Sequence, residues 1–359
     1  MAIPRFAEGL HVGSGTRRVS LKPITTEDYM NKLMSILAIF GLVCFGVYPA
    51  EAAKTYTFKL AHNLPAPESS YDKAAVFFKE RLEKYTNGRA TVTIYPSGQL
   101  GSDVNIAKKL QNGSFDFEIL STNKLGAFFP PIDLYSLPFL FPDFDAVAKV
   151  VKSEQHKKLM ADMEKKAGFK SLAFIGSGFR NVTNSKRPIE KPEDMHDLKM
   201  RVPQNRVEIA MFKALGASTV PVSDGELFTA LQQGLVDGQD GSALWAYAKK
   251  IFETQKYMSL TAHQLSCSTF IMSSRVFKTL PADIQNAILK AASETETFWQ
   301  EESNRENTVV MQKFAEHGMI INNPDKEPFM KAMESVYAEF ADEVGGMDNI
   351  RAVQSLIKQ

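Results

Sequence analysis

Tyr56-Thr57-Phe58-Lys59-Leu60-Ala61, followed by His62-Asn63-Leu64-Pro65-Ala66-Pro67, is the stretch on which the fold turns. Its first six residues alternate with period two and read as a strand; the proline-rich continuation leaves it as a loop, so polar groups sit at a strand's carboxyl end. Tyr71 to Tyr85 then carries Ala74, Ala75, Phe78, Leu82 and Tyr85 at helical spacing and stops at Asn87-Gly88. Strand Ala90 to Tyr95, helix Asp103 to Asn112, strand Phe115 to Leu120 and a loop from Ser121 repeat the pattern. Strands alternating with helices predict an α/β body whose ligands lie beyond strand carboxyl ends.

Downstream, Ser171 to Ile175 reads as a strand, and Gly176-Ser177-Gly178-Phe179-Arg180 supplies paired glycines where the chain can cross to a second lobe. Met200-Arg201-Val202-Pro203 is a strand, Val207 to Leu215 a helix ending at Gly216, and Gly225 to Gly234 a helix ahead of Val236-Asp237-Gly238-Gln239-Asp240. Gln264 to Ser273 is a strand, and Pro281 to about His317 is one helix with Pro281 in its first turn, long enough to span both lobes. The tail from Glu327 is mostly helical, with a break at Gly345-Gly346. Aromatics and prolines from Phe128 to Phe144 read as a covered, turning core segment. For 359 residues two lobes are expected: 54–176 with about 266–305, and 177–265 with about 306–359.

The amino terminus reads as an address. Met30-Asn31-Lys32, an apolar run from Leu33 to Tyr48 and Pro49-Ala50-Glu51-Ala52-Ala53 have the layout of a secretory signal peptide, with a mature start near Ala53 and a free, unanchored product. Residues 1–29 fit an upstream start. Their Arg17-Arg18 pair suits a twin-arginine signal poorly, because polar Thr25 to Lys32 separates it from the apolar run. Cys44 follows Val43 and makes a poor lipidation site, so Cys267 is the sole mature thiol and is expected to be buried.

Composition excludes several classes. There are 42 Lys+Arg against 41 Asp+Glu, and removing residues 1–53 leaves 37 of each, so no net field points to nucleic acid or an acidic membrane surface. The histidines of the mature chain, His62, His156, His196, His263 and His317, lack metal-ligand spacing, and no cysteine cluster, HExxH, Walker loop, GxGxxG or GxSxG is present. No cofactor, metal or catalytic residue is expected. The chemistry that stands out is cationic: Arg180 after a glycine-rich strand exit, and Arg201 inside the apolar strand Leu198-Lys199-Met200-Arg201-Val202-Pro203. A guanidinium placed there needs an anion, either a ligand carboxylate or a protein one, and composition alone favours the protein one.

Asn181-Val182-Thr183-Asn184-Ser185-Lys186-Arg187-Pro188-Ile189, the Arg201 strand, and Glu226-Leu227-Phe228-Thr229-Ala230-Leu231-Gln232-Gln233-Gly234-Leu235-Val236-Asp237-Gly238-Gln239 together resemble the solute-binding proteins of tripartite ATP-independent periplasmic (TRAP) transporters. Ala61-His62-Asn63, Pro96-Ser97-Gly98-Gln99-Leu100-Gly101, Leu137-Pro138-Phe139 and Lys256-Tyr257 to His263 extend the resemblance over the mature chain. It implies a two-lobed periplasmic-binding-protein fold with a hinge, which captures a small organic acid and delivers it to a TRAP membrane permease. It also implies that Arg201 holds the ligand carboxylate, that Arg180 is a second, more variable arginine, and that Asn63, Ser121, Gln239 and Asp240 are at the site.

Three positions depart from the family pattern. Asp240-Gly241-Ser242 stands where Glu-Asn-Pro is common, so a ligand-contacting asparagine is missing and Gly241 leaves room; Trp245, one turn on, is either an apolar wall or a core residue. Asp224, near where an aromatic residue is common, either faces the cleft and favours an amine or hydroxyl, or caps the following helix. Asp197 replaces a common glycine. The competing classes are a periplasmic sensor subunit for the same ligand and a secreted hydrolase or lyase acting on a carboxylate, which would need a nucleophile-base pair beside Arg201. A monomer is expected rather than a dimer.

Overall fold

The computed structural model describes residues 26, 27, 30 and 54–358. The expected signal peptide and cleavage point, Cys44 and the arginine pair lie outside the described residues. Residues Met1–Lys54 separate from a compact unit, Thr55–Gln359, which the following account concerns. No helix among the described residues is long and apolar enough to cross a membrane.

The core of that unit is a sheet of β1 (Tyr56–His62), β2 (Ala90–Tyr95), β3 (Phe117–Ser121), β4 (Phe169–Asn184), β5 (Lys199–Val202), β6 (Ser218–Pro221), β7 (Gly238–Ser242), β8 (Tyr257–Ser273) and β9 (Ile320–Asn322). Strand order is β2-β1-β3-β8-β4-β7-β5-β6, with β9 on β8. At one end β1 runs parallel to β2 and β3; at the other β5 runs parallel to β6 and β7. The long strands β4 and β8 run antiparallel between these ends and bind them into one sheet. Each parallel end therefore presents strand carboxyl ends where a ligand can be held.

Helix limits follow the local signals. The helix Ser70–Thr86 starts behind Ser69, whose hydroxyl accepts from the Asp72 amide, and ends at Asn87 in the left-handed region. Helix Asp103–Asn112 and strand Ala90–Tyr95 have the expected bounds. Pro281 takes the N-cap position of the long helix Ala282–Glu316 rather than its first turn. Two strands are longer than their sequence suggests. β4 does not stop at Ile175 but continues to Asn184, with register shifts at Gly176/Gly178 and Arg180/Val182. The glycines mark a bulge inside the strand: Gly178 has φ +133°, and a Cβ there would lie 3.1 Å from the Ser242 Cβ. β8 begins seven residues earlier than Gln264, because Ser259, Thr261 and His263 are buried with hydrogen-bond partners and mask its apolar alternation.

The long helix serves two cores. Ile284, Ile288, Ala291 and Trp299 pack with Phe58, Leu60, Phe78 and Phe117, whereas Val310 and Phe314 pack with Leu227, Val236 and Ile251. Trp299 is fully buried, edge-on to Tyr71 at 5.5 Å between ring centroids. A third core joins Phe129, Tyr135, Phe141, Phe169, Met200 and Phe212 to Phe340, Ile350 and Val353 of the C-terminal helices. Phe129 and Phe141 thus lie in a core, as the segment's composition suggests. Cys267 is buried and free in the same core, and burial pushes its thiol pKa up.

Candidate functional site

Four loops meet at the strand carboxyl ends. Asn63 follows β1, Ser121 ends β3 and leads to Asn123 and Lys124, Arg201 and Pro203 come from the end of β5, and Asp224 follows β6. These residues line two adjoining cavities that share Asn63, Lys124, Arg201, Pro203 and Asp224 as a common wall. The first cavity continues past Tyr71, Arg180 and Trp245; the second runs past Ser102, Asp103 and Lys249.

Arg201 is 2% exposed because Met200 and Val202 turn into the core and the alternation sends its own side chain to the cleft. Its Nε donates to the Val222 carbonyl at 2.9 Å and its Nη2 to Asp224 Oδ1 at 2.5 Å. Its Nη1 has no hydrogen-bond partner among the described residues. The guanidinium carbon lies 5.9 Å from the Trp245 ring centroid.

Asp224 faces the cleft. Its Oδ2 accepts from Asn63 Nδ2 at 2.7 Å and from Lys124 Nζ at 2.8 Å, beside the Arg201 contact. The helix Leu227–Gln232 has Glu226 at its N-cap and no side-chain cap bond, so Asp224 is not its cap. Burial raises the Asp224 pKa, but Lys124, Arg201 and Lys249 outweigh it and hold the carboxyl well below the usual range. Lys124 also pairs with Asp103 at 2.7 Å, and Lys249 donates to the Asn63 carbonyl at 2.6 Å.

Arg180 sits between two buried carboxylates. Nε meets Asp240 Oδ2 at 2.6 Å, Nη2 meets Glu208 Oε2 at 2.9 Å, and Nη1 again has no partner among the described residues. Asp240 also accepts from His263 Nε2 at 3.1 Å. Although burial opposes it, the Arg180 charge and then His263 keep Asp240 ionised, with its pKa below the usual range. Glu208 shifts upward, since burial exceeds the help from Arg180.

Of the residues expected from sequence, Arg201, Arg180, Asn63, Ser121, Asp224 and Trp245 line the first cavity together. Gln239 and Asp240 line neither. Both are fully buried: Gln239 donates to Thr183 Oγ1, and Asp240 Oδ2 accepts from Arg180 and His263, so they support the site from behind. Sequence reasoning missed Lys124, Asp103 and Lys249. Lys124 had a usable signal, three residues past a strand end; Asp103 looked like an ordinary acidic residue in a helix's first turn.

Gly241 and Trp245 are linked. A Cβ on Gly241 would lie 2.5 Å from Trp245 Cε3, so the space left by the absent side chain is filled by the indole that walls the cleft. Gly241→Ala should displace that ring, costing about 1–3 kcal/mol of stability and weakening ligand binding. Unchanged melting and affinity would contradict this placement.

Behind the cleft, Asn205 donates to the Asn123 carbonyl at 3.0 Å and to Asp133 Oδ1 at 2.8 Å. Burial pushes the Asp133 pKa up to about 7. An acid protonated more readily in the fold than in the unfolded chain stabilises at low pH and loses that advantage as pH rises from about 4 through 7. Asp133→Asn should therefore gain stability over wild type at pH 8, by up to about 4 kcal/mol, and much less at pH 5. Urea denaturation at the two pH values measures it; an equal gap at both would contradict the assignment.

Residues 60–343 match the family model described as DctP, bacterial extracellular solute-binding protein family 7. A solute-binding protein of Verminephrobacter eiseniae is 32% identical over 309 residues, covering 85% of this chain and 91% of that one. The crystal structure of a TRAP periplasmic solute-binding protein from Polaromonas sp. JS666, bound to D-erythronate, superposes with TM-score 0.80 at 34% identity, covering 84% of this chain and 98% of that one. One from Sulfurospirillum deleyianum with bound succinate gives TM-score 0.80 at 32% identity, covering 84% and 99%. With the α/β sheet, the lobe-spanning helix and two cleft arginines already in place, these matches establish that the chain belongs to the TRAP-transporter solute-binding proteins, family 7.

Proposed function

We propose that this chain captures a small organic acid by its carboxylate, between Arg201 and Arg180, and hands it to a TRAP permease. The observation that carries the reading is that both guanidiniums line one cavity and each leaves Nη1 unpartnered among the described residues, although their other donors are engaged. Two preset donors, one from each of two buried guanidiniums, suit the two oxygens of a carboxylate, because charge-assisted bonds gain strength where the partners are shielded from solvent. The erythronate and succinate held by the two structural relatives are acids of this size.

Closure uses the lobes expected from sequence, 54–176 with about 266–305 against 177–265 with about 306–359, hinging where β4 and β8 cross between them. Asn63 and Lys124, from the first, meet Asp224, from the second, and these contacts latch the cleft. The chain binds without catalysing. A sensor role would use the same cleft, and no observation favours it. The test is a thermal-shift screen of hydroxy, keto, sugar and dicarboxylic acids on the mature protein, since a ligand that binds only the folded state raises the melting temperature by mass action. At least one carboxylate should raise it; shifts by neutral sugars alone would refute the reading.

A further inference from the structure

Asp224 places a negative charge inside a cleft built for an anion, and that is the feature to explain. Its carboxylate is part of the wall common to both cavities and is fixed by Arg201, Lys124 and Asn63. Arg180, Arg201, Lys124 and Lys249 face Asp103, Asp224, Asp240 and Glu208 one for one, and Glu118, buried beside Asp103 and Lys124, adds a further carboxyl whose pKa burial raises. A ligand carrying one carboxylate adds one negative charge to this set; with that carboxylate on the two arginines, a second one directed into the second cavity lies beside Asp224 and Asp103, where like charges among buried groups repel and Lys124 is already paired with both acids.

The remaining polar groups ask for donors. Asn63 Oδ1 and Asn123 Oδ1 are buried acceptors without partners among the described residues, and both residues line the first cavity. Their orientation is set by chemistry, because each Nδ2 donates to a carboxylate: Asn63 to Asp103 and Asp224, Asn123 to Glu208. An ionised carboxylate has no hydrogen to give them, whereas a hydroxyl does. Ser70, Ser121, Ser177, Ser242 and Ser266 line the same cavity and can exchange hydrogen bonds with a hydroxylated chain.

We infer that the site selects polyhydroxylated monocarboxylic acids, and that Asp224 is the residue that rejects the corresponding dicarboxylic acids. The inference rests on the carboxylate reading of the cleft. It assigns Asp224 two tasks: orienting Arg201 so that Nη1 stays open, and refusing a second charge. Of the two structural relatives above, it places this chain's ligand with erythronate rather than with succinate.

The test uses acids that differ only at the far end, titrated calorimetrically into the mature protein: erythronate against meso-tartrate, galactonate against galactarate, and succinate as the acid without hydroxyls. Wild type should bind at least one monoacid ten-fold or more tightly than its paired diacid, and more tightly than succinate. Asp224→Asn should shrink that mono-to-diacid ratio at least five-fold. A diacid or succinate bound as tightly as the monoacids in wild type would overturn the inference while leaving the carboxylate reading intact. So would a ratio untouched in Asp224→Asn, or wild type that binds none of the five while other carboxylates raise its melting temperature. No carboxylate binding at all would instead remove the underlying reading. If Asp224→Asn does not fold, Asp224→Ser replaces it, and the wild-type ratios alone still decide the ligand class.

Discussion

Arg201→Ala is expected to cost about 2–5 kcal/mol of ligand binding, which is roughly 30-fold to several thousand-fold in Kd. The loss is large because the ligand carboxylate would be stranded in a cleft with little water to replace the guanidinium. Stability should change much less, since Asp224 keeps Lys124 and Asn63 as partners. Arg201→Lys should rescue only part of the affinity. An ammonium supplies the charge and three donors, but all sit on one nitrogen, so it cannot reach the Val222 carbonyl, Asp224 and the ligand from the separate positions that Nε, Nη2 and Nη1 occupy. Calorimetric titration of both variants with an acid that wild type binds checks this; affinity within about two-fold of wild type in Arg201→Ala would remove Arg201 from the site.

Arg180→Ala should behave differently, because its partners depend on it. Without Arg180, among the described residues Glu208 retains only Asn123 as a side-chain donor, and Asp240 retains only His263, both carboxylates being fully buried. Removing one member of such a set leaves uncompensated buried charge, worth about 3–5 kcal/mol of stability. Part of this should return in Arg180→Ala combined with Glu208→Gln, which removes one of the stranded charges. Urea unfolding reads both variants; a loss below about 1 kcal/mol in the single variant would mean that Arg180 is not the counter-ion of this cluster. In the proposed function Arg201 serves primarily as a ligand group, and Arg180 as a structural cation with one donor left for the ligand.

The two arginines also show what is legible in a sequence. Arg201 is visible because an apolar strand makes its charge conspicuous, and because that strand carries the family resemblance. Its protein partner was not visible: Asp224 is 23 residues away, and both of its readings, cap or cleft wall, fitted the local pattern. Lys124 went unnoticed for the same reason, since its partners Asp103 and Asp224 are 21 and 100 residues distant. Helix ends such as Asn87 were readable because a left-handed residue closes them locally. The continuation of β4 through Gly176 and Gly178 was not, because the same glycines that end an isolated strand form a bulge when β8 lies alongside. Gln239 and Asp240 sit in β7, next to the right residues, but their direction depends on Thr183 and Arg180 across the sheet.

A crystal structure of the mature protein with an acid identified by the thermal screen tests the central claim most directly. The ligand carboxylate is expected within about 3 Å of Nη1 of Arg201, with Arg180 Nη1 turned to the same group and Asp224 still bridging Arg201 and Lys124. A carboxylate bound away from both guanidiniums would contradict it.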